Sequence, residues 1–125
     1  MPAEVKRSLR VASRLARELS AVIARTVRDP RVASVTITRV DMPDDLRRAR
    51  VFFRLIEGGE SPERRGQALK GLARATGMLR KEVSQRLGLR YAPELEFVFD
   101  DGQDQVTTIE RLLHEVKQEE LGKKR

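Results

Sequence analysis

Near the start of the chain, apolar residues recur at steps of three and four. Leu9, Ala12, Ala16, Leu19, Ile23 and Val27 form this series and predict an amphipathic helix over residues 4–28. Arg7, Arg10, Arg14, Arg17, Arg25 and Arg28 form a second stripe of the same period. The offset of two residues, about 200° on a helix, puts it on the opposite face. Asp29-Pro30 ends the helix, because the residue before proline is pushed out of the α region. The period then drops to two. Val32 to Val40 reads as a strand, with Val35 and Ile37 alternating with Ser34, Thr36 and Thr38. Asp41-Met42-Pro43-Asp44-Asp45 is a turn, and Ala49 to Ile56 a second strand. Ala49, Val51, Phe53 and Leu55 point one way, and Arg50, Phe52, Arg54 and Ile56 the other. The short connection implies an antiparallel hairpin.

After Glu57-Gly58-Gly59-Glu60, Ser61 caps a helix with Pro62 at its first position. Leu69, Leu72 and Ala73 give an apolar face before Gly77, and Leu79, Val83 and Leu87 give another after it. Glycine in a helix interior costs about 1 kcal/mol relative to alanine. Two short helices are therefore expected, one ending near Arg74 and one running from Thr76 to Leu87, with Gly88 as the stop. Glu94 to Asp100 reads as a third strand, with Leu95, Phe97 and Phe99 buried and Glu94, Glu96 and Asp100 on the other side. Val106 to Val116 reads as a last helix. The fold class is α+β, and the economical architecture is one three-stranded sheet with helices packed on one face. Residues 1–118 form a single domain in this reading, and 119–125 a disordered basic tail.

Charge changes the picture. The formal charge is +7 and the isoelectric point about 10.5, a balance that favours a polyanionic partner. Its placement is uneven. Residues 61–90 hold eight Lys/Arg and two Glu, a net of +6, whereas residues 91–110 hold six Asp/Glu and no Lys/Arg, a net of −6. The arginine stripe of the first helix has only Glu18 among its acids between Lys6 and Arg28. A face built only for solubility mixes signs. Arg10, Arg14 and Arg17 are therefore candidate RNA contacts. Around the glycine joint, Arg74, Ala75, Thr76, Gly77, Arg80 and Lys81 form a second candidate group. There, small residues admit a phosphate backbone and the cations surround it.

Enzyme chemistry finds little support. Absent cysteines exclude disulfides, zinc fingers and thiol catalysis. The one histidine, His114, falls on the last helix beside Leu113, where a structural role suffices. No phosphate-binding loop follows Gly58-Gly59 or Gly122-Lys123, and no Gly-x-Ser-x-Gly elbow occurs. Asp100, Asp101 and Asp104 lack calcium-loop spacing and read as a solvated strand end. Neither a catalytic residue, a metal nor a cofactor is expected. Among the aromatics, Phe53, Phe97 and Phe99 fall on buried faces, which leaves Phe52 as the one candidate for base stacking. No apolar run nears the about 18 residues of a membrane span, and the start lacks the apolar stretch of a signal peptide. A cytoplasmic monomer is expected.

The order of elements, with a helix pair before the last strand, resembles a type II KH domain. The KH loop Gly-x-x-Gly is replaced here by Ala75-Thr76-Gly77. That replacement is similar to the ribosome-binding factor A family of bacteria. So are Val35-Thr36-Ile37-Thr38-Arg39-Val40, Asp45-Leu46 with Ala49-Arg50-Val51-Phe52, and Leu87-Gly88-Leu89-Arg90. Pro93-Glu94-Leu95-Glu96-Phe97 and Ile109-Glu110-Arg111-Leu112-Leu113 complete the match. The resemblance covers about residues 5–116. It implies a non-enzymatic assembly factor that binds the free 30S small ribosomal subunit and its 16S rRNA, including the precursor. It also implies a role in late maturation and processing of that rRNA, and in growth in the cold. Two alternatives stand beside it: a general KH-like RNA-binding or intrinsic ribosomal protein, and an rRNA-processing nuclease.

Overall fold

A computed structural model describes residues 6–102. Five regular elements and one short turn follow in order: helix α1 (Arg7–Thr26), a 3-10 turn (Pro30–Val32), strands β1 (Val35–Asp41) and β2 (Arg48–Leu55), helix α2 (Pro62–Leu87) and strand β3 (Glu94–Phe99). The expected helix over 106–116, His114, Asp104 and the tail 119–125 lie outside the described residues. The sheet has the order β1-β2-β3. β1 and β2 pair antiparallel as a hairpin, whereas β2 and β3 pair parallel, Arg48 opposite Glu94 through Phe53 opposite Phe99. A parallel pair needs a long crossover, and α2 supplies it.

β1 carries a register shift between Ile37 and Arg39. Val35 and Ile37 face the helices, and one residue later the phase has changed, so that Val40 is buried and Arg39 and Asp41 turn to the opposite face. A bulge does this because it adds one residue against an unbroken partner strand. The helix-facing layer is Val35, Ile37 and Val40, then Ala49, Val51, Phe53 and Leu55, then Leu95, Phe97 and Phe99. Phe53 and Phe99 meet edge to face at 5.7 Å. From above, Ala12, Leu15, Leu19, Val22 and Ile23 of α1 and Ala68, Leu72, Leu79 and Val83 of α2 complete this core. Arg86 ties the two helices together, its guanidinium 3.9 Å from Glu18 and 3.6 Å from Glu82.

Several expectations are corrected. The two helices predicted on either side of Gly77 are one, unbroken from Pro62 to Leu87. The reason is the stripe Ala68, Leu72, Leu79, Val83, which passes Gly77 in a single phase with all four residues fully buried. Burying a large aliphatic side chain stabilises by about 1.5–3 kcal/mol, more than glycine's propensity cost. Leu69 and Ala73 are exposed instead. On α1 the buried face runs through Val11, Ala12, Leu15, Leu19, Val22 and Ile23, while Leu9 is 61% exposed. The first strand begins at Val35, because Pro30–Val32 forms the 3-10 turn. Asp100 is buried, not solvated: its carboxylate accepts from Thr38 Oγ1 at 2.7 Å and from Gly102 N–H at 3.1 Å.

The caps follow expectation. Ser61 Oγ accepts from Arg64 N–H at 3.2 Å, with Pro62 at the first helical position. At the other end Gly88 takes a left-handed φ of +65°, which lets Leu89 N–H reach back to Ser84 O at 3.1 Å.

Candidate nucleic-acid interface

The chain leaves α2 through Gly88 and Leu89, and this exit separates two hollows. One, of about 390 Å³, is lined by Arg7, Arg10, Val11 and Arg14 of α1 and by Leu87, Gly88 and Leu89. The other, of about 510 Å³, is lined by Gly77, Arg80, Lys81, Ser84 and Gln85 of α2 and by Leu89, Arg90 and Ala92. Leu89 borders both. Three cations stand on each side of it, and neither lining includes a carboxylate. Arg7, Arg10, Arg14 and Lys81 are exposed and make no hydrogen bond or ion pair among the described residues. Their charge is available to a ligand.

The sequence-predicted residues divide among several places. Arg10 and Arg14 line the first hollow, and Gly77, Arg80 and Lys81 the second. Arg17 is exposed on α1 but lines neither. Arg74 and Ala75 border a third hollow of about 360 Å³, with Val27, Arg28, Asp29, Gly71 and Met78. Arg74 contributes there to the field that lowers the pKa of Asp29 to about 2, though the hydrogen bonds from Arg31 contribute more. Ala75 packs against the core, and Thr76 Oγ1 donates to Leu72 O at 2.9 Å within the helix. With 1.5 Å of rise per residue, Arg74 and Arg80 stand about 9 Å apart along the axis. They do not converge on one phosphate as a kinked joint would allow.

Arg80 has a second task. Its Nε donates to Pro93 O at 2.9 Å and its Nη2 to Ala92 O at 3.0 Å, holding the segment before β3 against α2. Other cations of the +6 segment are also engaged inside the fold. Arg64 donates to Glu57 O, to Gly59 O at 2.7 Å and to Ser34 Oγ at 3.3 Å, and Arg65 to Glu60 O at 2.8 Å. Glu60 in turn accepts from Arg54 Nε at 2.8 Å and from Leu55 N–H at 3.1 Å. Those bonds, the guanidinium's first, hold its carboxyl at about 2. This part of the basic segment builds the β2–α2 turn.

The sheet face turned away from the helices is not a stacking platform. Phe52 points to it, as the alternation predicts, but is 0% exposed. The Arg39 guanidinium lies 3.7 Å from its ring centre and covers it. Arg39 also pairs with Asp41, and its Nε and Nη2 have no hydrogen-bond partner among the described residues, so the π face is what they meet. Across the same face Arg48 pairs with Glu94 at 3.6 Å and Arg50 with Glu96 at 3.9 Å. Mixed charge there contrasts with the one-signed linings beside α2. The exposed aromatic is Tyr91, which sequence reasoning passed over because it lies on a connection with no periodicity.

Comparison with known proteins settles the family. A family model described as ribosome-binding factor A matches residues 7–113. The chain belongs to the ribosome-binding factor A family. A member from Sorangium cellulosum is 44% identical over 124 residues, covering 99% of each chain. The crystal structure of ribosome-binding factor A from Thermus thermophilus is similar with a TM-score of 0.62 at 26% identity, covering 73% of this chain and 93% of that one. A homology model of the Thermus thermophilus ribosome-binding factor A, as fitted into the cryo-EM map of a complex of that protein with 30S, gives a TM-score of 0.60 at 25% identity, covering 75% of this chain and 97% of that one. The family reading from the hairpin, Ala75-Thr76-Gly77 and the approach to β3 is thereby borne out. The relatives share the α+β fold with its three-stranded sheet.

Proposed function

We propose that this chain is a non-enzymatic assembly factor that binds the free 30S subunit through 16S rRNA and assists late maturation and processing of that rRNA in the cytoplasm. The observation that carries the reading is the pair of carboxylate-free basic hollows meeting at Leu89. Such surfaces hold phosphate backbones, and their affinity falls as added salt reduces the gain from counterion release. Family membership supports the ribosomal target, since a homology model of the Thermus thermophilus relative has been fitted into the cryo-EM map of its 30S complex. Arg10, Arg14, Lys81 and Arg90 are the phosphate contacts in this reading, with Arg17 extending the α1 side and Arg80 shaping the second hollow. Gly77 gives RNA close access to its floor, whereas Arg74, Ala75 and Thr76 are peripheral to it.

Co-sedimentation tests the target. The protein is expected with free 30S particles and absent from translating 70S ribosomes. Stable retention on 70S ribosomes would identify an intrinsic ribosomal protein instead. A strain lacking the protein is expected to accumulate 16S precursor and to grow poorly in the cold. Normal processing in that strain would remove the maturation role.

A further inference from the structure

Among the described residues arginines meet three aromatic rings, those of Phe52, Tyr91 and the half-buried Phe99, and the first two make the sharpest contrast. At Phe52 the guanidinium of Arg39 sits 3.7 Å from the ring centre, and the ring is 0% exposed. At Tyr91 the guanidiniums of Arg47 and Arg90 stand back at 5.3 and 5.4 Å, and the residue is 58% exposed. The first stack is closed. The second is more open: both guanidiniums stand more than 5 Å from the ring centre, and over half of the residue's surface is exposed.

Its position gives the open ring a use. Tyr91 lies between Arg90 and Ala92, which both line the hollow that also contains Lys81 and Arg80. Arg80 fixes this segment by its bonds to Ala92 O and Pro93 O. The ring is therefore mounted on an anchored connection beside a cationic floor. Phosphates are drawn to the floor, and a flat apolar group of the same strand finds a surface beside it. We propose that Tyr91 stacks on an unpaired base of the bound RNA while Lys81 and Arg90 hold the adjoining backbone. The base is unpaired because a base inside a duplex already has its faces covered. Stacking on an aromatic side chain tolerates any base, so the contact selects single-stranded structure and not sequence. The proposal rests on the RNA-binding reading above and adds the structural class of RNA at one point.

Tyr91 is the only tyrosine, and the chain has no tryptophan, so intrinsic emission reports this ring alone. The probes are a labelled mixed-sequence single-stranded RNA of about 12 nucleotides and the same strand annealed to its complement. Emission, corrected for RNA absorbance with free tyrosine amide, is expected to be quenched by the single strand and unmoved by the duplex. In parallel, 30S binding is titrated by co-sedimentation. Tyr91→Phe is expected to bind like the parent, and Tyr91→Leu at least about fivefold more weakly, with unchanged circular dichroism. Full-strength 30S binding by Tyr91→Leu, or RNA binding seen by anisotropy with unmoved emission, overturns the stacking contact while the RNA-binding reading stands. Failure of the parent protein to bind 30S overturns both.

Discussion

Gly71 and Val32 meet so closely that nothing larger than hydrogen fits between them. A Cβ at Gly71 would lie 2.6 Å from Val32 Cγ2 and 3.2 Å from Asp29 Oδ2. Through this contact α2 rests on the 3-10 turn that follows α1. At Gly77, six residues on, a Cβ would meet nothing within 4 Å. The two glycines of one helix therefore have opposite expectations. Gly71→Ala should destabilise by about 1–3 kcal/mol, because Val32 and the turn must move. Gly77→Ala should stabilise by up to about 1 kcal/mol through helix propensity. Urea denaturation midpoints read both, and a gain for Gly71→Ala would show that the contact yields without strain.

Arg80 and Lys81 are neighbours with different roles. Arg80→Ala removes two hydrogen bonds to the carbonyls of Ala92 and Pro93. A loss of about 1–3 kcal/mol in stability is expected, together with weaker RNA binding as the hollow loosens. Lys81→Ala should leave stability within about 0.5 kcal/mol and weaken 30S binding alone. Thermal melts beside binding titrations separate the two, and equal melts for both variants would mean the Arg80 clamp contributes nothing.

The arginine flank of α1 gives a charge-reversal test. Arg10, Arg14 and Arg17 are exposed and outside the core. Replacing all three with Glu should preserve the helical spectrum and strongly weaken 30S association. The remaining affinity should depend less steeply on salt, since fewer phosphates are neutralised. A folded triple variant with parental affinity and salt slope would return this flank to ordinary solvated surface.

Glu60 predicts an acid response. Its carboxyl is held down from 4.5 to about 2, first by the Arg54 guanidinium and then by Leu55 N–H. A lowered folded-state pKa means the interaction stabilises fully above about 4.5 and is lost as pH falls toward 2. NMR titration of the side-chain carboxyl should place its midpoint near 2, and Arg54→Gln should move it back up toward the ordinary value. An unchanged midpoint in that variant would remove the guanidinium as the cause.

The parts legible in the sequence are those carried by periodicity. The exposed arginines of α1 and the buried Ala49, Val51, Phe53 and Leu55 follow from periods of 3.6 and two. Alternation gives the direction of a side chain but not what covers it. Phe52 does point away from the helices, yet Arg39 closes over it, and that contact depends on the phase change in β1. Glycine offers a similar lesson. The local cost of Gly77 suggested a joint, but the buried stripe on either side keeps one phase. Gly71, with its long-range contact, carries no local mark. Tyr91 and the separation of Arg74 from Lys81 become visible only once the chain is folded.

The parallel pairing of β2 with β3 also has a consequence in time. Arg48 pairs with Glu94, and the intervening chain must be synthesised before the pair exists. At about 5–20 residues per second, β2 leaves the ribosome some 2–9 s ahead of its partner strand. Throughout that interval β2 has no β3 to pair with along one edge, and Phe53 has no Phe99 ring to meet. The complete sheet therefore cannot form until the strand that becomes its other border has been made.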